Sequence, residues 1–369
     1  MLITVLVFLA ILSILVLIHE IGHFVAAKKM GIKVEEFGFG LPPRIFGIKR
    51  GETIYSINWL PIGGFVKLYG EEGADESANS KSQASNSKDI KRAFYSRPPW
   101  QKSIVLVAGV SMNFILAAVL LSYLFTQGVM VPTDRVHIEK IVSGSPAWKA
   151  GIKEGDVVRN IKYQKSNIKY EEKEIKKGEE LIKLTKEHLG EEVTLTVERD
   201  GKEIPINVVP RKDYPKDQGP LGIVISNFEE KKYPIYEAPV MGLIESFKLS
   251  WVLVKGIGIT LWKLISFQSV SRDVAGPLGI AQMTGQAIKF GNMAVLELTG
   301  LLSLNLAIVN ILPFPALDGG RLLFVVIEVL TGKKIKAHWE RYVHQIGMII
   351  LLALIVLVTL NDLVRIFGK

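Results

Sequence analysis

Cysteine is absent from this chain of 369 residues, which excludes a disulfide framework, a cysteine nucleophile and every thiolate-based zinc site. Any metal must be held by His, Asp or Glu, and only six histidines are available. Acidic residues are the minority charge, 36 Asp and Glu against 45 Lys and Arg, for a net charge of +9. The excess is uneven: residues 128–232 hold 20 basic and 19 acidic side chains, so it lies in the remainder, beside the long apolar runs. That pattern suits a membrane surface and argues against a nucleic-acid groove. A content of 49% hydrophobic residues likewise argues against a uniform soluble globule.

Residues 1–27 are almost wholly apolar and contain no Lys or Arg. Without the basic start of a secretory signal peptide, this run reads as a retained span. A helix crosses a bilayer with about 20 apolar residues, and residues 103–127, 294–312 and 343–360 supply three more spans. Lys28, Lys29 and Lys33 follow the first span, and Lys88, Lys91, Arg92, Arg97 and Lys102 precede the second. By the positive-inside rule the loop at 28–102 is cytoplasmic and both termini are outside. Lys333, Lys334, Lys336 and Arg341 put the loop between spans three and four inside as well. Residues 240–267 carry Glu245, Lys248, Lys255 and Lys263 and read as an amphipathic helix at the interface, because a fifth span would place that basic loop outside.

The expected organisation is a membrane core in two halves, residues 1–127 and 294–369, with an interfacial region at 233–293. A flexible linker rich in Ala, Ser and Asn is expected at 71–88. Residues 128–232 form a small domain on the outer side, with strands at 136–142, 192–199 and 203–209 and a helix at 178–189. Residues 52–69 read as a β-hairpin dipping towards the membrane, with strands at 53–60 and 65–68 separated by Pro61, Gly63 and Gly64. Its edge, with Asn58, Gly63 and Gly64, could hold a substrate strand extended, or the hairpin could only cap the bundle.

His19, Glu20 and His23 form H-E-x-x-H inside the first apolar run. On a helix the two histidines share one face, about 6 Å apart, near enough to bind one zinc. Glu20 beside the first ligand can act as general base towards the attacking water. The motif also occurs by chance, but ionisable groups inside a span are costly and therefore functional by default. A third ligand is needed, and His137, His188, His338 and His344 fall in the outer domain or the second basic loop. Asp318 is the stronger choice among the carboxylates, ahead of Glu35, Glu36, Glu297 and Glu328. It follows the third span after Pro313 and Pro315 and precedes Gly319 and Gly320, and broken backbone at membrane depth is tolerated only when buried or lining a cavity. Asn113, Asn305 and Asn310 are further polar groups in apolar helices, fitted either to interhelical hydrogen bonding or to support of the site.

Taken together, these residues resemble the site-2 protease family of intramembrane zinc metalloproteases, most closely its bacterial regulator-of-sigma-E protease branch. The resemblance covers nearly the whole chain: His19 to His23, the turn Gly38-Phe39-Gly40, Arg92 to Ser96, and Asn310 to Gly320, which is similar to N-x-x-P-x-P-x-L-D-G-G. It implies one zinc per chain held by His19, His23 and Asp318, Glu20 as catalytic base and Asn310 by the active site. Residues 143–156 resemble the signature of a PDZ domain, with Leu221, Gly222 and Ile223 as its carboxylate-binding loop. The fold implied is an α-helical polytopic membrane protein of four spans with a membrane-associated β-hairpin and an inserted extracytoplasmic α+β PDZ-like domain. The activity implied is cleavage of single-span membrane proteins, pre-cut on the outer side, in a bacterial cytoplasmic membrane with the active site near the cytoplasmic side and no nucleic acid involved. Two departures stand out: Val110 occupies the place of the family's proline in A-G-P-x-x-N, and only one PDZ-like domain fits. A zinc transporter would need polar residues tracing a path across the spans, which are too apolar. A catalytically silent scaffold presenting a PDZ-like domain would leave Glu20 without a purpose.

Overall fold

The computed structural model describes residues 2–71, 87–166, 169–215, 218–266, 275–333, 335 and 337–367. Most of the expected linker at 71–88, with Lys334 and Lys336, lies outside the described residues. Two compact units emerge, one of Met1–Leu124 with Ile235–Lys369 and one of Phe125–Pro234.

The first unit begins with helix α1 (Leu2–Lys29), followed by strands β1 (Val34–Arg50) and β2 (Thr53–Leu68), the single turn α2 (Ser87–Ile90), a 3-10 turn at Phe94–Ser96 and helix α3 (Pro99–Gln127). Gly22 lets α1 and α3 touch, since a Cβ there would come within 2.9 Å of the Gly109 Cα. The strands correct the expected hairpin. A two-residue turn at Gly51 and Glu52 pairs 44–50 with 53–58, and residues 34–39 lie between 54–57 and 64–68, pairing with both. The runs at 53–60 and 65–68 are thus both strands but are not partners. Ser13 Oγ donates to Pro61 O at 2.9 Å, fastening this sheet along α1. Ala27, Ile32, Val34, Leu68, Phe94 and Val105 form the core where the sheet, α1 and α3 meet. Arg92 closes the edge of that core by a bidentate ion pair to Glu52, with Nη1 2.6 Å from Oε2 and Nη2 2.8 Å from Oε1.

The second unit contains β3 (Val129–Ile141), α4 (Pro146–Lys149), β4 (Val157–Ser166), β5 (Lys169–Glu174), α5 (Gly178–Glu187), β6 (Val193–Arg199), β7 (Lys202–Val208) and β8 (Ile223–Lys231). Its sheet runs β7-β6-β4-β3-β8, with β5 pairing β4 and β8 at one edge. The expected strands fall in β3, β6 and β7 and the expected helix is α5, whereas β4, β5 and β8 carry no clean alternation in sequence. Val136, Ile138, Val158, Ile161, Leu181 and Leu195 form the core. Within the 143–156 run, Ser145 caps α4 by accepting from Trp148 N at 3.2 Å, and buried Asp156 pairs with Arg199 at 2.7 Å.

The first unit resumes with α6 (Ala238–Ile265), α7 (Pro277–Phe290), α8 (Asn292–Ile311), α9 (Asp318–Thr331) and α10 (Ala337–Phe367). Among the described residues four helices are long and apolar enough to cross a membrane: α1, α3, α8 and His338–Val364 within α10. Residues 240–265 of the run expected to be amphipathic lie in α6, which is not one of the four, and Phe267 lies outside the described residues. Ile349, Leu352, Val356 and Leu357 of α10 are exposed, as suits a lipid-facing surface. Sequence reading missed α9 and grouped His338 and His344 with the second basic loop, although its fourth span began at Val343; both belong to α10, whose start is masked in sequence by Lys333, Lys334 and Lys336. Asp362, fully buried near the end of α10, accepts from Gly279 N at 2.8 Å and caps α7 from a distance.

Candidate metal centre

Helical spacing on α1 brings the two histidine rings edge to face, 4.7 Å apart between centroids. Each is buried. His23 Nδ1 lies 2.8 Å from Val105 O, so it carries the proton and leaves Nε2 as a lone-pair donor. Val110 does not interrupt α3, which runs unbroken past the site. Gly109 on this helix supports the pair by its missing side chain, because a Cβ would lie 2.8 Å from the His19 Cε1 and closer still to the His23 ring.

Asp318 arrives from the other half of the unit. Helix α8 stops at Ile311 before Pro313, which has no N–H to continue it, and the chain turns back through Phe314 N to Leu312 O at 2.7 Å. Gly319 and Gly320 pack directly on the carbonyls of residues 311, 312 and 314, leaving no room for side chains. Ala316 takes φ 75° and donates its N–H to His344 Nδ1 at 2.9 Å, and Gly347 one turn later accommodates Pro315. The carboxylate therefore stands at the first turn of α9, where the helix dipole favours negative charge.

His19 Nε2, His23 Nε2 and Asp318 Oδ2 converge, with separations of 2.9 Å from His19 to Asp318, 3.2 Å from His23 to Asp318 and 3.1 Å between the imidazoles. Zinc–nitrogen bonds of about 2.05 Å in a tetrahedron put neighbouring ligand atoms about 3.3 Å apart. The donor set and its spacing therefore fit zinc. His19 Nδ1 is buried without a hydrogen-bond partner among the described residues, so the ring is not committed to another role through that atom.

Glu20, His23 and Asp318 line a cavity of about 560 Å³ together with Phe65, Arg321 and His344. Gly64 brings β2 against this wall, since a Cβ there would lie 3.8 Å from Glu20 Cγ. Residues 64–68 pair only with 34–39 among the described residues, so their other edge is open. Glu71, just past β2, forms an ion pair with Arg321 of α9 across the cavity.

The remaining candidates divide. Asn113 is fully buried one turn beyond Gly109, and neither amide atom has a partner among the described residues. Asn305 and Asn310 are half-buried on α8, Asn310 in its last turn. Asn58 donates to Phe39 O and Gly40 O inside the sheet, and Gly63 packs on Val16. Glu35, Glu36 and Glu328 are paired with Lys67, Arg44 and Lys102. In the second unit Leu221 O accepts from Ala147 N, Gly222 (φ 71°) donates to Gly219 O, and Ile223 opens edge strand β8. Sequence reasoning met Gly109 only within the run similar to A-G-P-x-x-N and set His344 aside as a ligand candidate, and it missed Arg321, whose only signal was polarity beside apolar runs.

Residues 7–354 match the family model described as Peptidase family M50. The regulator of sigma-W protease RasP of Bacillus subtilis is 31% identical over a 434-residue alignment covering 99% of both chains. A zinc metalloprotease RasP of Bacillus licheniformis is 31% identical over 435 residues, again 99% of both. A Clostridium acetobutylicum protein named as a zinc metalloprotease is 34% identical over 353 residues, 95% of each chain.

Proposed function

Because the chain belongs to peptidase family M50 and is a multi-pass membrane zinc metalloprotease, we propose that it hydrolyses peptide bonds within or beside the spans of membrane-anchored proteins. The observation that carries this reading is the convergence of His19, His23 and Asp318 at the wall of a cavity that Glu20 shares. When bound, one zinc per chain would polarise the scissile carbonyl and acidify the attacking water. His19, His23 and Asp318 hold it, and Glu20 accepts the proton of that water and returns it to the leaving nitrogen. Asn310 and Asn305 on α8 and the buried Asn113 on α3 are assigned to support of the site, Asn113 being the one of them whose amide has no partner among the described residues. The open edge at 64–68 supports addition of an unwound substrate strand, with Gly63 and Gly64 allowing its approach and Asn58 shaping the sheet.

In this reading the protein lies in a bacterial cytoplasmic membrane with the site near the cytoplasmic side, and residues 128–232 form a PDZ-like domain outside. Its substrates are single-span proteins already cut on the outer side, such as anti-sigma factors or signal-peptide remnants, and the loop at Leu221, Gly222 and Ile223 receives their new carboxylate. The test is zinc content and cleavage of a single-span substrate by purified protein in detergent. Wild type binds one zinc and cleaves, Glu20→Gln binds zinc without cleaving, and Asp318→Ala loses both. Normal cleavage by Glu20→Gln overturns the role of the base. Deleting residues 128–232 widens substrate acceptance if that domain gates and abolishes cleavage if it recruits.

A further inference from the structure

The edge at 64–68 faces no neighbouring strand among the described residues, but its last position is already engaged. Tyr69 N–H points inward, donating to Lys33 O at 2.9 Å, so by the alternation of a strand the N–H and C=O of Leu68 point outward, to the side where a new strand would pair. Glu71 takes both. Its Oε2 accepts the Leu68 N–H at 3.3 Å, and its own N–H donates to Leu68 O at 3.3 Å across the turn at Tyr69 and Gly70, where φ of 71° suits glycine. A residue of an antiparallel partner strand exchanges two bonds with its opposite number in the same way. The other carboxylate oxygen, Oε1, pairs with Arg321, one turn beyond Asp318 on α9. Leu68, Glu71 and Arg321 all line the cavity that Glu20 and Asp318 share. The side-chain contacts are of a displaceable kind: the bond from Leu68 is long, and both members of the ion pair are partly exposed.

We propose that Glu71 is an intramolecular competitor for the substrate strand, holding the last outward donor of the edge until a carbonyl oxygen of the substrate replaces it. Binding is then an exchange. The substrate carbonyl accepts the Leu68 N–H, and the Glu71 carboxylate moves off that donor. Gly64 stands against Glu20, and Leu68 lies four residues further along the strand, about 13 Å away. A substrate segment that is extended over this length gains the bond. A segment that is shorter, or is still helical, offers no carbonyl there and leaves Glu71 in place. Glu71 thereby selects for unwound segments of sufficient length.

This inference rests on the protease reading and its strand addition, and its test separates failure of the one from failure of the other. Glu71→Ala removes the competing carboxylate, whereas Glu71→Gln keeps an acceptor for Leu68 N–H and loses the charge that Arg321 holds. Zinc content, kcat and KM on a single-span substrate are measured for both in the full-length protein. Affinity for the same substrate, fluorescently labelled, is measured with each change placed in Glu20→Gln. Glu71→Ala should retain zinc, lower KM about fivefold with kcat within about twofold, and tighten binding by the same factor, the scale of a partly exposed ion pair. Glu71→Gln should gain less. Unchanged or raised KM, or loss of zinc, in Glu71→Ala would overturn the proposal and leave Glu71 as a tie between β2 and α9. Failure of wild type to cut the substrate would count against the protease reading, while the binding measured in Glu20→Gln, tighter or not, still decides the role of Glu71.

Discussion

His23 is fixed to Val105 by a hydrogen bond of 2.8 Å from Nδ1 to the carbonyl oxygen, so α3 sets both the tautomer and the orientation of an imidazole carried by α1. Four residues on, the same face of α3 presents Gly109 to the two rings.

Gly109→Ala tests this support. The new methyl would overlap the His23 ring, which is pinned by Val105 and cannot retreat without losing that bond. Zinc affinity, measured by competition with a chelator, is expected to fall about 10- to 100-fold, with helical content unchanged because Ala is a better helix former than Gly. Unaltered affinity would mean that the ring has freedom the packing does not suggest.

Glu52 supplies a pH dependence remote from the metal. The Arg92 guanidinium, aided by Lys28, holds its carboxyl down at about 2, below the usual value of 4.5. A depressed carboxylate contributes stability that is complete above the unfolded value and is lost as pH falls through the folded one. Melting temperature of the wild type in detergent should therefore drop between about pH 4.5 and 2 more steeply than that of Glu52→Gln. Because the pair is about one-third exposed, the difference should shrink in high salt.

The convergence of His19, His23 and Asp318 was legible because each part has a local cause: His19 and His23 are one helical turn apart, and Pro313, Pro315 and the glycine pair announce the break that delivers Asp318. The four helices long and apolar enough to cross a membrane were legible from apolar length alone. The sheet was not, because residues 34–39 enter between strands that are close in sequence, and only long-range pairing decides that order. His344 was hidden for a related reason: its value lies in what Ala316 donates to it, a contact across 28 residues that no periodicity encodes. Asp362 gave a polar residue in an apolar helix but no clue that its partner is the start of α7.

Asp362→Ala is expected to destabilise without touching the metal. The carboxylate is fully buried and caps Gly279 N, so its removal strands a buried donor at a cost of about 1–3 kcal/mol. The expected readout is a lower melting temperature with unchanged zinc stoichiometry, and faster amide exchange at the first turn of α7. Asp362→Asn, which keeps an oxygen acceptor, should recover part of the loss. Equal damage from both would mean that the charge matters more than the cap.

Lys102 and Glu328 form a largely buried ion pair of 3.0 Å joining α3, which carries Val105 and Gly109, to α9, which begins with Asp318. This pair therefore links the two helices on which the histidine wall and the Asp318 carboxylate depend. Lys102→Met leaves the Glu328 carboxylate without its partner, and breaking a buried pair in this way costs about 3–5 kcal/mol. Replacing both partners, as Lys102→Met with Glu328→Leu, removes the stranded charge and should restore most of that stability. Zinc affinity should follow the same order, lowest in the single variant and nearly normal in the double one, because it depends on the spacing of α3 and α9. If the double variant regained stability but not zinc affinity, the ion pair itself would be setting that spacing, beyond the packing of the two helices.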